Sequence, residues 1–407
     1  MKIQVLSQSF YPDHSGISLY SSEFAFYAAE KGHEVEVITG YGFYPQWKKR
    51  KEDRRKLFST EYNGKVKILR GYIYVPEKPT TFKRVIHEIS LLASTSFNFF
   101  RAKKPDVIVV FTTPILLGFI AVIFKKLFKC KLIINVQDFQ LEAASSLNMI
   151  KEGLFFKILS NLEKFSYANA DLVTSISHSM FDILKYNKKL KDKKIYLWPN
   201  WIQKKDYILD PVNKGIFRKQ YNINSSEIII GYAGNVGLKQ GLEILVELAD
   251  VFMQNTCIKF FIIGEGAGLP NIIKYANDKK VKNVFFLPLL SPAEYKAFLN
   301  DLDIFFLPQK KTAFDVYFPS KLLGLIAAKK TILISADEES ELFKTVKTNK
   351  IGFVTKYGDI NALAVIINEN IKNAEKSKEV SRNADIYVSQ FERDVVLDSV
   401  LEKIIKL

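Results

Sequence analysis

The 407-residue chain has two cysteines and four histidines. Cys130 and Cys257 lie in different halves, each in an apolar strand-like run, which excludes a disulfide framework and gives no metal-ligand spacing. His14, His33, His87 and His178 show no ligand spacing either, and only His14 falls in a loop expected to line a cleft. Long apolar runs are missing too. The stretch ILLGFIAVIF at 115–124 is far short of the roughly 20 residues that span a bilayer, so it reads as a buried helix. An interfacial helix with KKLFKCK at its polar end is the other reading. The N-terminal MKIQVLSQSFYPDHSG has no long apolar core and no small-residue cleavage site, so no signal peptide is expected in it. These absences together predict a cytoplasmic protein in a reducing compartment.

What is present is ordinary globular material, 48% hydrophobic and 25% charged. Its length exceeds what one core usually supports, which predicts two domains. The net charge of +16 is uneven: residues 1–200 carry 31 Lys and Arg against 18 Asp and Glu. The basic clusters fall at Lys48–Lys56, Arg101–Lys104, Lys125–Lys131 and Lys185–Lys194. They read either as solvated loops or as attraction to anionic lipid headgroups, at roughly 1 kcal/mol per basic residue. No recognised nucleic-acid module accompanies them, so nucleic acid is not an expected partner.

Strand-like and helical runs alternate from the start. KIQVLSQ, EVEVITG, VKILRGYIYVP, DVIVVFT, KLIINVQD and DLVTSIS are separated by helices expected near Ser18–Lys31, Thr81–Ala102, Pro114–Phe128 and Gly153–Ala168. That pattern predicts a doubly wound parallel sheet covered on both faces. A polar stretch near 186–225, with Pro199 and Pro211, marks the boundary. EIIIGYAG, IKFFIIGEG, NVFFLP, DIFFLPQ and TILIS then build a second such sheet. The expected domains are 1–200, completed by 385–407, and 201–384, with a ligand cleft between them.

Four segments carry candidate chemistry. In FYPDHSGIS, Gly16 opens a helix whose N-terminus offers N–H groups to an anion. In GNVGLKQGLE, Gly234, Asn235 and Gly237 form a turn able to cradle phosphate, with Lys239 as a point charge. In IIGEGAG, Gly264, Glu265 and Gly266 superficially follow a dinucleotide fingerprint and fit a base or ribose equally well. In FLPQKKTAFDVYFPSKLLGLIAAKK, Asp315 lies in a polar loop, Ser320 is placed as an N-cap, and Lys321 sits unfavourably beside a helix N-terminus. An anion between the helix end and Lys321 would resolve that conflict. In the first half, NVQDFQLEA puts Asp138 and Glu142 just past a strand, where a carboxylate can take a proton from an attacking hydroxyl. A structural cap explains Asp138 as well.

Taken in order, YPDHSGISLYSSEFAFYAAEKGHEVEVITG, FYPQW at 43–47, YVPEKPT, VQDF, WPNW at 198–201, GNVGLKQGLE, IGEG and FPSKL resemble glycosyltransferase family 4, of the retaining GT-B fold, in the branch of colanic-acid and O-antigen enzymes. The resemblance runs over nearly the whole chain. It implies an α/β GT-B architecture, two Rossmann-like domains facing across a cleft. It also implies metal-free, retaining transfer from a nucleoside-diphosphate sugar, UDP- ahead of GDP-linked, to a polyprenyl-diphosphate-linked saccharide in capsule, exopolysaccharide or O-antigen synthesis. Asn235, Lys239 and Lys321 match the positions that neutralise the leaving diphosphate, with Asp138, Lys239 and Lys321 as the catalytic set. Peripheral attachment to the inner face of the plasma membrane is expected through the basic first domain. The chain departs from the family at Gln137, where many members have His, and at Val316 and Gly324, where many have paired glutamates. Asp315 is the candidate stand-in for the first glutamate. A nucleotide-sugar 2-epimerase of the same fold and a non-catalytic nucleotide-sugar-binding component are the competing readings.

Overall fold

A computed structural model describes residues 1–13, 16–43, 47–77, 80–142, 153–237, 240–310, 321–370 and 374–407. The chain divides into two compact units, residues 1–200 with 394–407, and residues 201–393.

The first unit holds β1 (Lys2–Leu6), β2 (Glu34–Gly40), β3 (Phe58–Asn63), β4 (Val66–Gly71), β5 (Val107–Thr112), β6 (Lys131–Val136), β7 (Leu172–Ser175) and β8 (Ile195–Leu197). They form one sheet in the order β3-β4-β2-β1-β5-β6-β7-β8. Every pairing is parallel except β3 with β4. The central strands are apolar throughout because helices cover both faces: all six residues of β5 are buried. β3 is the exception, and it lies inside what the sequence shows only as a long excursion. It is an edge strand of alternating exposed and half-buried residues, so it lacks the apolar run that marks the others.

Described helices of this unit include α1 (Ile17–Glu30), α2 (Thr81–Arg101), α3 (Ile115–Phe128), α4 (Leu154–Asn169) and α5 (His178–Asp182). ILLGFIAVIF begins α3, which buries Leu117, Ala121, Val122 and Phe124. Phe124 stacks on Phe99 of α2 at 3.7 Å between ring centroids. Among the described residues no helix is long and apolar enough to cross a membrane.

In the second unit β9 (Ile228–Ala233), β10 (Ile258–Ile263), β11 (Val284–Leu287), β12 (Ile304–Gln309), β13 (Thr331–Ala336) and β14 (Phe353–Lys356) form an all-parallel sheet, ordered β11-β10-β9-β12-β13-β14. Its described helices are α6 (Ile216–Gln220), α7 (Glu243–Val251), α8 (Leu269–Asp278), α9 (Pro292–Asp301), α10 (Lys321–Ala327), α11 (Glu341–Asn349), α12 (Ile360–Asn370) and α13 (Ala374–Ser389). Two sequence signals set one of them: Ser291 caps α9 in a reciprocal capping box with Glu294, and Pro292 takes the first helical position. The final helix α14 (Arg393–Ile405) returns to the first unit. There Asp398 accepts a hydrogen bond from Tyr27 at 2.9 Å and pairs with Lys31 at 2.7 Å.

Phe99 is fully buried between α2 and α3. Phe99→Ala is expected to cost the first unit about 3–5 kcal/mol, read as a lower urea midpoint for its transition with that of the second unit unmoved.

Candidate functional site

In both sheets the parallel strands deliver their loops to one edge, the carboxyl ends, where α/β folds place ligands. In the second unit the loops after β9 and β10 interlock. Gly234 N–H donates to Ile263 O and Val236 N–H to Glu265 O, both at 2.8 Å, and Gly268 N–H donates back to Val236 O at 2.8 Å. The approach is too close for side chains. A Cβ at Gly264 would lie 2.0 Å from the Gly234 carbonyl oxygen, and one at Gly266 would lie 2.3 Å from the Val236 oxygen. Gly234 and Gly264 also adopt φ of +140° and +130°, a region other residues rarely enter.

Lys321 opens α10 and reaches across to this knot. Its Nζ donates to Tyr232 Oη at 3.0 Å and lies 4.4 Å from the centre of the Tyr232 ring. Tyr232 Oη donates in turn to Asn235 O at 2.7 Å. The Nζ sits so close to Gly234 that a Cβ there would lie 1.8 Å from it. Among the described residues no carboxylate pairs with this ammonium, and burial pushes its pKa down to about 8. A buried cation without a counter-charge carries a large desolvation penalty, which an anion bound beside it would relieve. The sequence points to an anion shared with a helix end; among the described residues the ammonium faces Tyr232 and Gly234.

Further round the edge, Glu243 of α7 is ion-paired with Lys310 and accepts from Tyr357 Oη at 3.2 Å. Gln240 and Gln309 each bury a side-chain oxygen with no hydrogen-bond partner among the described residues, which adds polar groups seeking a ligand or water. The structure thus brings together Gly234, Asn235, Gly237, Gly264, Glu265, Gly266 and Lys321. Lys239, Asp315 and Ser320, and also His14, lie outside the described residues.

Gly16 and Asp138 belong to the first unit. Gly16 precedes α1 with φ +56° and open space around its Cβ position, so its backbone conformation rather than crowding calls for glycine. Asp138 lines a cavity with Thr112, Thr113, Gln140, Glu163, Ser166 and Tyr167. Glu142 is committed elsewhere. It and Glu163 share the buried ammonium of Lys188, whose charge burial opposes but whose two carboxylate neighbours hold above the ordinary lysine range. Among the described residues no group of three or more His, Cys, Asp or Glu is placed to hold a metal ion.

A second cluster on this edge follows β1, β2 and β4 and escapes sequence reasoning. Trp47 has φ +51° and packs against Phe43 at 5.3 Å and His87 at 5.4 Å, with the Arg84 guanidinium 5.6 Å from its ring centre. Lys49 lies 3.8 Å from the centre of the Tyr72 ring. A tryptophan in the left-handed region is a strained residue of the kind that collects at ligand sites. The FYPQW motif at 43–47 was its only trace in the sequence.

Known proteins decide the family. The family model described as Glycosyltransferase Family 4 matches residues 14–205, and that described as Glycosyl transferases group 1 matches residues 213–386. The chain is 30% identical, over 86% of its length and 86% of the relative's, to WcaI of Escherichia coli strain K12, named as a colanic acid biosynthesis glycosyl transferase. This chain belongs to the family 4 glycosyltransferases. As a member it is an enzyme of sugar transfer, which sets aside both the epimerase and the non-catalytic readings. WbjE of Pseudomonas aeruginosa, named as a glycosyltransferase, is 26% identical over 66% of the chain and 67% of WbjE. The sucrose-phosphate synthase of Thermosynechococcus elongatus shares the fold at a TM-score of 0.76 with 16% identity, over 100% of this chain and 98% of that one. Anabaena HepE in complex with UDP shares it at 0.70 with 15% identity, over 100% of both chains. The architecture is the GT-B one, α/β with two Rossmann-like parallel-sheet units.

Gly264→Ala sets a methyl group against a backbone oxygen that no side-chain rotation can move. Gly264→Ala is therefore expected to abolish nucleotide binding or unfold the second unit, read by calorimetric titration alongside a thermal melt, whereas Glu265→Ala on the exposed side of the same loop leaves the melt unchanged.

Proposed function

We propose that the second unit holds a nucleoside-diphosphate sugar and that its sugar passes, with retention, to a lipid-linked saccharide in the synthesis of a bacterial surface polysaccharide. The observation that carries the donor assignment is Lys321: a buried ammonium with no carboxylate partner among the described residues, set over Gly234 at the strand-end knot. A diphosphate supplies the missing charge. The need grows when the glycosidic bond breaks and negative charge builds on the leaving group, so the same cation stabilises the transition state more than the ground state. Asn235, exposed on the adjoining turn, and the N–H groups around Gly237 are the further donor contacts in this reading, with Lys239, Asp315 and Ser320 assigned on sequence alone.

Neighbours of the same fold support a nucleotide donor: HepE was crystallised with UDP-glucose, and starch synthase IV of Arabidopsis thaliana with ADP. The names of WcaI and of the Escherichia coli O-antigen biosynthesis glycosyltransferase WclY support a surface polysaccharide as product. In the first unit Asp138, on a cavity it lines with Thr112, Ile115 and Ile134, is the candidate that orients or deprotonates the acceptor hydroxyl, and Trp47 offers a face on which a saccharide ring can stack. The proposal dispenses with a metal, because Lys321 and backbone donors meet the charge of the leaving diphosphate.

Titration of UDP and GDP is expected to show UDP binding, with Lys321→Ala weakening it about 10- to 100-fold, the worth of a charge-assisted hydrogen bond. No binding of either nucleotide to the wild type would overturn the donor site. Burial lowers the free-state pKa of Lys321 to about 8, while a bound diphosphate favours the charged form. UDP affinity is thus expected to be level below that pH and to fall about tenfold per unit above it, with the fall absent in Lys321→Ala. Sugar transfer is expected to persist in excess EDTA and to give product with the donor's anomeric configuration by NMR; inversion or loss of activity in EDTA contradicts the mechanism.

A further inference from the structure

α2, α3 and α4 connect β4 to β5, β5 to β6 and β6 to β7, each step moving the same way across the sheet. Right-handed crossovers therefore put all three on one face of it, and their contacts agree. Phe124 of α3 meets Phe99 and Phe100 of α2, while Phe119 meets Phe165 of α4 at 5.9 Å.

The outer surface of this layer is apolar where a water-facing surface is polar. On α2 the residues Phe82, Ile86, Ile89, Ala93, Phe97 and Phe100 recur every three or four positions and are all exposed, Phe82 by 73% and Phe100 by 71%. The side of α2 turned into the protein mixes Leu91 and Phe99 with His87, Ser94, Thr95 and Asn98, all buried. The small polar residue at 94 has a local cause: Ser94 sits so close to β4 that a Cβ at Gly71 would lie 2.6 Å from its own, so a small inner side chain lets the helix lie there. α3 extends the outer patch with Ile123 and Leu127, and α4 with Ile158 and Phe165. Contiguous exposed apolar surface on this scale marks an interaction site.

The charges on the patch choose its occupant. Arg84, Arg101, Lys126, Lys129, Lys157 and Lys164 are exposed in or at the ends of these helices. Their only acids are Glu163, which is buried, and Glu88, whose pKa burial pushes up to about 7. A second copy of the chain would bring like charges together across such a face. We infer that the outer face of α2, α3 and α4 is a docking surface for an anionic lipid bilayer, its aromatic and aliphatic side chains entering the headgroup boundary while the Lys and Arg side chains meet lipid phosphates. This pattern of apolar residues flanked by cations is that of interfacial helices. The inference rests on the proposal of a lipid-linked acceptor and names the face that brings the enzyme to it.

The test is co-sedimentation of the full-length protein with vesicles of 30% phosphatidylglycerol in phosphatidylcholine, and with vesicles of phosphatidylcholine alone. The wild type is expected to bind the anionic vesicles, to bind neutral ones at least tenfold more weakly, and to release in high salt. Phe82→Ser with Ile89→Ser should reduce binding to the anionic vesicles at least tenfold, with the thermal melt and UDP affinity unchanged. Wild-type protein that ignores anionic vesicles, or a double variant that binds them as well as the wild type, overturns the inference. A vesicle-free wild-type dimer that this variant converts to monomer assigns the face to a second copy and overturns it as well. UDP titration reports on the donor proposal separately: a wild type that binds vesicles but no nucleotide leaves this face standing and removes the donor site.

Discussion

A single ammonium group, that of Lys321, sets the terms for the second unit. Keeping it in a low-dielectric pocket with no carboxylate partner among the described residues is unfavourable for the free protein, and the surroundings limit the cost without cancelling the charge. The Tyr232 hydroxyl accepts a hydrogen bond from it and the Tyr232 ring lies beside it. Gly234 leaves room where any Cβ would collide with it. Burial lowers its pKa to about 8, and in the proposed reading the donor's diphosphate supplies the counter-charge.

The glycines serve the same end. Interlocked loops after β9 and β10 hold each other through three backbone hydrogen bonds, so the turn beside Lys321 is rigid before any ligand arrives. Rigidity of this kind reduces the ordering cost of binding. In the first unit the sheet edge carries different groups: a carboxylate lining a small cavity, and an aromatic cluster flanked by Lys49 and Arg84. One strand-helix plan, used twice, thus presents a buried cation in one unit, and a carboxylate and an aromatic cluster in the other.

The central strands could be read from sequence because a parallel sheet covered on both faces needs continuous apolar runs, as in VIVVFT of β5 and IKFFII of β10. β3, β8 and β14 could not. The first is a half-exposed edge, and the other two are three and four residues long among lysines. Within the site, the glycine turns and Lys321 stood out as local motifs. Tyr232 did not, since its contact with Lys321 spans 89 positions and its only signal was an aromatic residue in an otherwise aliphatic strand. The left-handed backbone of Trp47 has no sequence signature at all. The outward apolar stripe of α2 was hidden for a different reason: TFKRVIHEISLLASTSFNFFR places apolar residues on both sides of the helix, and the pattern alone does not say which side faces out.

The measurement that bears most directly on Lys321 is NMR titration of its side chain, assigned by loss of the signal in Lys321→Arg, with and without UDP. The account predicts a pKa near 8 in the free enzyme that rises by one unit or more when the nucleotide binds. A signal that titrates like an ordinary surface lysine in both states, or that UDP leaves unmoved, would contradict it.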